Sequence, residues 1–400
     1  MNRTMLQEAV SGRVGGGAGL SRRTILQGAG LGASALLLAA CSTAAQGRPE
    51  AAVDRSESQK SLRFDSRDTY RNTTGEDYPL LGRFSDATGI SVTYTNAVSD
   101  DNLYYSKVKD QLRLGQDIGA DAAVLSDWMA ARWIRLGYVQ EIRRENITHF
   151  DNLRLMFRDS EFDPGRHASL PWRNGFTGIA WNKEAIPEGL TSISDLWDPS
   201  LKGRVGAMSA MRDTLGLIML DQGVDISSSD WSDTEFSAAV ETLRAQVVSG
   251  QLSSIKGNKY KEDLKSGATI ASIARAGDVM QINQEAGDQW EFAVPAAGGV
   301  LWSDVVVIPV GSTHRTNVEE FIDFYYDRQN AVEVAAATSF ISPVDLRQPE
   351  IGTIPEAVAR NLMIFPTEAV FATTKVFRTL DQSEEQRFGA QYQTILLGAS

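Results

Sequence analysis

The sequence has a single cysteine and only three histidines among its 400 residues. One cysteine cannot form an intrachain disulfide or a cysteine-rich zinc site, and His149, His167 and His314 show no metal-binding spacing. Basic residues are also few, since 39 lysines and arginines face 51 aspartates and glutamates and leave a formal net charge of −12. A nucleic-acid-binding protein needs a basic face to displace counterions, so that class of partner is excluded. We expect neither a metal nor another cofactor.

The length and composition indicate a folded chain of more than one domain. Four hundred residues exceed one ordinary domain, and a hydrophobic fraction of 42% with 22% charged residues is enough to build cores. We therefore expect two or three domains rather than a disordered chain.

Residues 1–40 have the pattern of an export signal. The adjacent Arg22 and Arg23 precede an apolar stretch, residues 28–40, which contains only glycine, alanine and leucine apart from Ser34. These 13 residues are too few to span a hydrocarbon core of about 30 Å, which takes about 20 helical residues. The stretch is typical of the hydrophobic region of a cleaved signal peptide, and the paired arginines resemble a twin-arginine (Tat) signal.

The next segment predicts a lipid anchor on Cys41. Residues 38–41, Leu-Ala-Ala-Cys, match a bacterial lipobox, in which the cysteine becomes the lipidated N terminus; an ordinary buried cysteine is the alternative. Several acyl chains would anchor the protein stably, because each buried CH₂ contributes about 0.8 kcal/mol. Residues 41–61 are poor in apolar side chains and predict a flexible tether. We expect an exported protein on the outer face of the cytoplasmic membrane, with 35 basic and 50 acidic residues and a net charge of −15 after cleavage.

The rest of the chain alternates between strand and helix patterns. Repeated β–α units are typical of mainly parallel sheets covered by helices, and a body of this length predicts two α/β lobes rather than one sheet. The predicted strands are residues 61–65, 90–94, 122–125, 205–208, 269–274, 291–294 and 300–308, and the predicted helices are residues 78–89, 101–116, 128–136, 213–221, 278–285 and 317–338.

The segments that follow these strands carry the candidate binding residues. In open α/β folds ligands bind beyond the carboxyl ends of the strands. The corresponding segments are rich in Asp, Trp, Tyr and Arg, which suits a small charged or zwitterionic ligand. The alternative is that each tryptophan is a core residue and each aspartate a helix cap. The segments are residues 66–70, 126–128, 210–213, 275–278 and 302–304.

A set of short motifs in a fixed order resembles a known family. From residue 62 to near the C terminus the chain resembles the spermidine/putrescine-binding extracellular components of bacterial ABC importers, in a lipoprotein form. The motifs are residues 127–131 (DWMAA), 134–140 (IRLGYVQ), 170–172 (LPW), 175–182 (GFTGIAWN), 194–199 (SDLWDP), 201–205 (LKGRV), 211–216 (MRDTLG) and 301–304 (LWSD).

The resemblance implies a fold and a function. The fold is the periplasmic-binding-protein type II arrangement of two α/β lobes joined by crossover segments, with a ligand cleft between them. Lobe 1 would comprise residues 62–174 and 303–344, and lobe 2 residues 175–302 and 345–400. The implied function is capture of a small amine-bearing solute, such as spermidine or putrescine, and its delivery to an ABC permease by a monomeric protein.

The resemblance also implies which residues contact the ligand. Trp302 and Asp304 match the family's Trp-x-Asp pair, which is the core of amine recognition, and Asp213 matches an acidic position. Aromatic or hydroxyl positions of the family correspond to Tyr70, Ser126, Trp128 and Phe340.

Three positions depart from the family pattern. Arg67 and Arg275 stand where the family has tryptophans, and Ala210 replaces an acidic residue. A guanidinium in place of an aromatic wall disfavours a polycation, because a like-charge contact at about 4 Å costs on the order of 4 kcal/mol at an effective dielectric of about 20.

Two hypotheses for these arginines stay open. In one, the ligand is zwitterionic and amino-acid-like, its amine meeting Asp304 and Asp213 and its acid meeting either arginine. In the other, both arginines point away from the pocket and are neutralised by neighbours such as Asp65 or Asp278.

An enzyme is the alternative from another class. Ser253 and Lys256 have the SxxK spacing of penicillin-interacting serine enzymes, but the companion SDN and KTG motifs and a GxSxG elbow are absent from the sequence. We therefore expect no catalysis, although an extracytoplasmic hydrolase stays the alternative. A sensor lipoprotein shares the fold and differs only in its partner.

Overall fold

The computed structural model of the chain describes residues 48–67 and 79–398. The predicted leader, Cys41 and Tyr70 lie outside the described residues. No helix in the described ranges combines the length and the apolarity that a membrane crossing needs.

The helices and strands have the following bounds. The strands are β1 (Ser61–Asp65), β2 (Ser91–Thr95), β3 (Ala122–Ser126), β4 (Leu170–Asn182), β5 (Val205–Met208), β6 (Leu252–Lys256), β7 (Ala271–Arg275), β8 (Trp290–Ala293), β9 (Gly299–Val307) and β10 (Thr374–Lys375). The helices are α1 (Pro79–Thr88), α2 (Asp101–Arg113), α3 (Asp127–Leu136), α4 (Met211–Asp221), α5 (Asp233–Val248), α6 (Tyr260–Ser266), α7 (Ala276–Ala286), α8 (Arg315–Tyr325), α9 (Arg328–Thr338), α10 (Gln348–Ile351), α11 (Glu356–Ala359), α12 (Glu368–Phe371) and α13 (Gln382–Gly398).

Most predicted elements coincide with observed ones, and two differences are instructive. The single helix predicted over residues 317–338 is wrong, because α8 and α9 are separate. Asp327 lies between them in an extended conformation, and its side chain accepts hydrogen bonds from the backbone N–H groups of Gln329 and Asn330, which begins a new helix. Residues 252–256, where no strand is predicted, form the strand β6, which pairs with β5.

All the strands belong to one mixed sheet. Its order is β2-β1-β3-β9-β4-β7-β5-β6, with β10 beside β9 and β8 beside β4. The prediction of separate, mainly parallel sheets is therefore wrong. The long strands β4 and β9 pair with each other antiparallel, and each also joins strands of one end of the sheet: β9 pairs with β3, and β4 pairs with β7.

The hydrophobic core is divided between the two ends of this sheet. At the β1–β3 end, Phe64, Trp172 and Phe321 are fully buried with ring centroids 5.1–6.0 Å apart. At the β5–β7 end, Phe236 and Phe388 stack with their centroids 4.0 Å apart. Each fully buried side chain of this size contributes roughly 1.5–3 kcal/mol. The two ends thus have separate cores with the middle of β4 and β9 between them.

The described part of the predicted tether is packed on the body rather than free. The Ala52 N–H donates to the Val310 carbonyl at 2.9 Å, and the Asp54 carboxylate pairs with Arg143 at 3.0 Å. The expectation of a flexible segment across all of residues 41–61 is corrected for this part, because its polar groups find partners.

Close pairing of β4 with β8 predicts that one glycine is essential for stability. A Cβ on Gly178 would lie 2.3 Å from the Ala293 carbonyl oxygen, which is backbone and cannot yield locally. We expect Gly178→Ala to lower the free energy of unfolding by about 1–3 kcal/mol, the usual range for overpacking, as measured by urea unfolding.

Gly82 provides the matched control. It lies in α1 with no heavy atom within 4 Å of its added Cβ. Gly82→Ala should raise stability by about 0.5–1 kcal/mol, because alanine is the better helix former. Equal unfolding midpoints for Gly178→Ala and the parent protein would contradict the steric account.

Candidate functional site

The predicted binding residues converge on one cavity of about 510 Å³. The cavity lies where the two ends of the sheet meet and receives side chains from both. Seven of the nine predicted residues line it: Arg67, Ser126, Trp128, Asp213, Arg275, Trp302 and Asp304. Their placement on one cavity is what the strand-end rule predicts, and their contact with a ligand stays a prediction.

The strand register brings four of these residues together. Ser126, the last residue of β3, is the partner of Asp304 on β9. Arg275, the last residue of β7, is the partner of Thr177 on β4, and Trp302 is the partner of Gly175. A side chain at Gly175 would collide with the indole, since an added Cβ would lie 2.4 Å from a ring carbon of Trp302. The glycine thus lets the Trp302 ring lie flat against β4.

Arg67 is the centre of a buried ion-pair network on the β1–β3 side. It is 6% exposed, and its Nε donates to Asp304 Oδ2 at 2.5 Å. Its Nη2 donates to both oxygens of Asp101, at 2.9 and 3.1 Å, and to Ser126 Oγ at 2.9 Å. One guanidinium therefore holds together β9, the start of α2 and the end of β3.

The Asp101 carboxylate is ionised by this network. Burial alone would raise its pKa, but the charge and hydrogen bond of Arg67 and two hydrogen bonds from Ser126 outweigh burial. The pKa of Asp101 therefore lies below its ordinary value of 3.8. Its contribution to folding is present above that value and is lost as the pH falls through the lowered pKa.

Arg275 makes the corresponding contact on the other side of the cavity. Its Nη2 donates to Asp213 Oδ2 at 3.0 Å, and its guanidinium lies 4.6 Å from the centre of the Trp302 ring. The second oxygen of Asp213 accepts a short hydrogen bond from Thr177 Oγ1. Asp213 is only 5% exposed, so this pair is largely removed from water.

These contacts correct the second hypothesis for the arginines, while a zwitterionic ligand stays a prediction. Both guanidinium groups line the cavity, so neither points away from it. The proposed neutralising neighbours are engaged elsewhere, since Asp65 accepts from Tyr104 and Asp278 accepts from Tyr260. The arginines are instead paired with the very aspartates that were expected to hold an amine.

Sequence reasoning missed an ion cluster that also contributes to the lining of the cavity. Glu385 on α13 has a side chain 6% exposed and pairs with Arg132 and Arg135 of α3, at 3.2 and 3.3 Å, and with Arg212 of α4 at 3.3 Å. Arg132 and Arg212 also flank the Trp128 ring, at 5.3 and 4.8 Å from its centre. No signal near Glu385 in the sequence points to this role, because α13 follows no strand of the predicted pattern.

Phe340 lies behind the cavity rather than on it. It is 2% exposed and meets the Trp302 ring edge-on at 5.7 Å between centroids. An added Cβ on Gly277 would lie 2.6 Å from its ring, so α7 also approaches it closely. Phe340 therefore supports Trp302.

The cavity retains a negative balance despite its arginines. Among the described residues its lining has six carboxylates, those of Asp100, Asp101, Asp127, Asp213, Asp304 and Glu385, against the four guanidinium groups of Arg67, Arg132, Arg212 and Arg275, a formal charge of −2. Within residues 48–67 and 79–398, no group of three or more His, Cys, Asp or Glu side chains could hold a metal ion.

The SxxK pair is not assembled as a catalytic site. Ser253 Oγ donates to the Val205 carbonyl at 3.0 Å, and Lys256 Nζ pairs with Asp263 at 2.7 Å. Both side chains are thus engaged in separate structural contacts.

Solved structures define the class of fold. The spermidine/putrescine ABC transporter substrate-binding protein of Streptococcus pneumoniae matches with a TM-score of 0.71 and 21% identity, over 86% of this chain and all of that one. The Tp0655 lipoprotein of Treponema pallidum matches with a TM-score of 0.71 and 18% identity, over 84% of this chain and 99% of that one. The expected periplasmic-binding-protein fold, two α/β lobes around a cleft, is confirmed.

Sequence comparison then identifies the family. The family described as bacterial extracellular solute-binding protein matches residues 80–356. The spermidine/putrescine-binding periplasmic protein of Salmonella typhimurium is 27% identical over 267 residues, which are 66% of this chain and 73% of that protein. This chain belongs to the bacterial extracellular solute-binding proteins.

The Arg67 network predicts a large, pH-dependent loss of stability on substitution. Arg67→Met would remove the guanidinium that two buried carboxylates share, and breaking a buried ion pair typically costs about 3–5 kcal/mol. The stability gap between parent and variant should be widest near neutral pH. It should shrink as the pH falls below the ordinary Asp101 pKa of 3.8, because the parent then loses its ionised carboxylate.

Arg83→Met is the matched control for a urea-unfolding series over pH. Arg83 pairs with Glu333 at 2.6 Å, but its side chain is 43% exposed, so its loss should change stability much less. Equal losses from the two substitutions would show that the buried network is not what stabilises the cavity.

Proposed function

We propose that this protein captures an amine-bearing solute of the spermidine or putrescine type outside the membrane and delivers it to an ABC permease. The observation that carries the proposal is the formal charge of −2 that the described residues give the cavity, which remains after all four of their lining arginines are counted. A diamine with two ammonium groups matches that charge. The names of the relatives from Salmonella typhimurium and Streptococcus pneumoniae support the same class of solute.

The aromatic side chains of the cavity suit the rest of such a molecule. Trp128 and Trp302 line the cavity, and so does Tyr392, which is buried. Flat aromatic faces cover methylene groups and attract ammonium groups through their π-electrons. A polyamine is a chain of methylenes between ammonium groups, so charge and shape point to one class of ligand.

The arginine contacts disfavour the zwitterionic alternative. A ligand carboxylate would compete with Asp101 and Asp304 for Arg67, or with Asp213 for Arg275. An exchange would remove the guanidinium with which a buried aspartate now pairs, which costs more than an ordinary hydrogen bond returns.

We also propose that binding closes the two lobes by bending β4 and β9. The proposed boundaries, residues 174/175 and 302/303, lie side by side, because Asn174 pairs with Ser303 and Gly175 with Trp302. Closure would be driven only by the ligand's higher affinity for the closed state. The cycle involves no catalysis, and we propose that the protein acts as a monomer.

Binding is tested by calorimetric titration and tryptophan fluorescence. Putrescine and spermidine should bind saturably with one site, and emission should shift because Trp128 and Trp302 line the cavity. Binding should weaken as salt rises, since part of it is electrostatic. Glutamate and γ-aminobutyrate are the matched probes that carry a carboxylate, and tight binding of either with none of the polyamines would overturn the proposal.

The proposed export and lipid anchoring need a separate experiment. We propose that residues 1–40 are a cleaved Tat signal and that Cys41 carries the lipid. In cells that process lipoproteins, the parent protein should partition into the detergent phase, and Cys41→Ala should remain in the aqueous phase. Ser42→Ala is the adjacent control and should partition like the parent. Identical partitioning of parent and Cys41→Ala would exclude lipid at this position.

A further inference from the structure

The carboxylates that line the cavity are not equally available to a ligand. Four of them have an arginine partner within 4 Å: Asp101 and Asp304 with Arg67, Asp213 with Arg275, and Glu385 with Arg132, Arg135 and Arg212. An ammonium group that approached any of these would meet a guanidinium already in place, and displacing it would leave that guanidinium poorly compensated.

Among the described residues, Asp100 and Asp127 are the two lining carboxylates without such an arginine partner. Asp100 is exposed and caps α2, accepting the Leu103 N–H at 2.9 Å, so it is already well solvated. Asp127 is the first residue of α3 and only partly exposed, and its Oδ1 accepts the N–H of Trp128 at 2.6 Å. No lysine, arginine or histidine of the described residues forms an ion pair with Asp127.

We propose that Asp127 receives an ammonium group of the ligand, with the neighbouring Trp128 ring covering the adjoining methylenes. The assignment rests on the proposed function, since it requires an amine-bearing ligand. It gives Asp127 a role that its position between the two family-matched residues Ser126 and Trp128 does not suggest. It also makes Asp304 a structural partner of Arg67 rather than the direct amine acceptor.

The surroundings of Asp127 favour binding of a cation. Burial raises the pKa of Asp127 to about 6, against the opposing effects of Arg212 on α4, the Trp128 N–H and Arg166 from the segment before β4; Asp304 on β9 adds to the rise. A carboxylate in such a place is poorly compensated when ionised. An ammonium group supplies both the missing charge and a charge-assisted hydrogen bond.

A pH dependence follows from this assignment. The ammonium group binds the ionised carboxylate, while the amines of a polyamine stay protonated across the neutral and mildly acidic range. As the pH falls through about 6, Asp127 takes up a proton and the site is lost. One pH unit below the pKa leaves roughly a tenth of the carboxylate ionised, so affinity should fall about tenfold between about pH 7.5 and about pH 5.

Calorimetric titration of the full chain with putrescine at these two pH values tests the assignment. We expect Asp127→Asn to weaken binding roughly 10- to 100-fold near pH 7.5, the loss of one hydrogen bond to a charged group. The pH dependence should disappear in this variant. Asparagine keeps a side-chain oxygen for the Trp128 N–H, so α3 retains its first contact.

Two further variants test whether the change in binding is specific to Asp127. Asp86→Asn removes the same charge from an exposed position of α1 and should bind like the parent. Asp304→Asn should lower the unfolding midpoint through Arg67 but retain the pH dependence of whatever binding remains. If the parent binds putrescine and Asp127→Asn binds it equally with the same pH dependence, the assignment is overturned and the proposed function stands. If the parent binds neither putrescine nor spermidine, both are overturned.

Discussion

Compensation of buried charge is the constraint on which this structure depends. Removing an ion from water costs several kcal/mol, so each charged side chain of the cavity needs a partner in the protein or in the ligand. Arg67 satisfies two aspartates at once, and Arg275 satisfies a third. These pairs fix the ends of β3 and β7 and the middle of β9 around one space, which is how ten strands and their connections yield a defined cavity.

One continuous sheet joins two ends of the molecule that have separate hydrophobic cores. Separate cores allow each end of the molecule to move as a unit, whereas β4 and β9 connect both ends through backbone hydrogen bonds. The proposed lobe closure would therefore bend these two strands. Glu385 adds a contact across the cavity, because its arginine partners lie on α3 at one end and on α4 at the other. Ion pairs of this kind favour a closed arrangement without fixing it, since their side chains can exchange partners with water.

The sequence predicted individual helices and strands better than the contacts between residues far apart in the chain. Alternating strand and helix patterns in the sequence predicted the strands β1 and β5 with their observed bounds. The segments that follow the strands could be predicted from the residues that begin the next helices. The partners of Arg67 could not, because Asp101, Ser126 and Asp304 lie 34, 59 and 237 residues away and meet it only after the sheet has formed. The antiparallel pairing of β4 with β9 could not be predicted for the same reason, because the two strands are far apart in the chain. The boundary between α8 and α9 could have been predicted, because aspartate is a favoured N-cap residue and Asp327 begins α9.

Arg67 and Arg275 limit what the family resemblance predicts about the roles of single residues, although the fold is the same. Replacing an aromatic wall with an isolated cation would repel an amine, but Arg67 and Arg275 are neutralised by aspartates that the family pattern assigns to the ligand. The exchange adds two positive charges, and each of them pairs with an aspartate that the family pattern already contains. Under the proposed assignment, the negative charge available to a ligand moves from Asp304 on β9 and Asp213 on α4 toward Asp127 at the start of α3. On this proposal, residues matched one by one to a family keep their places in the fold while their roles pass to neighbours, because a role depends on which partner each charge has.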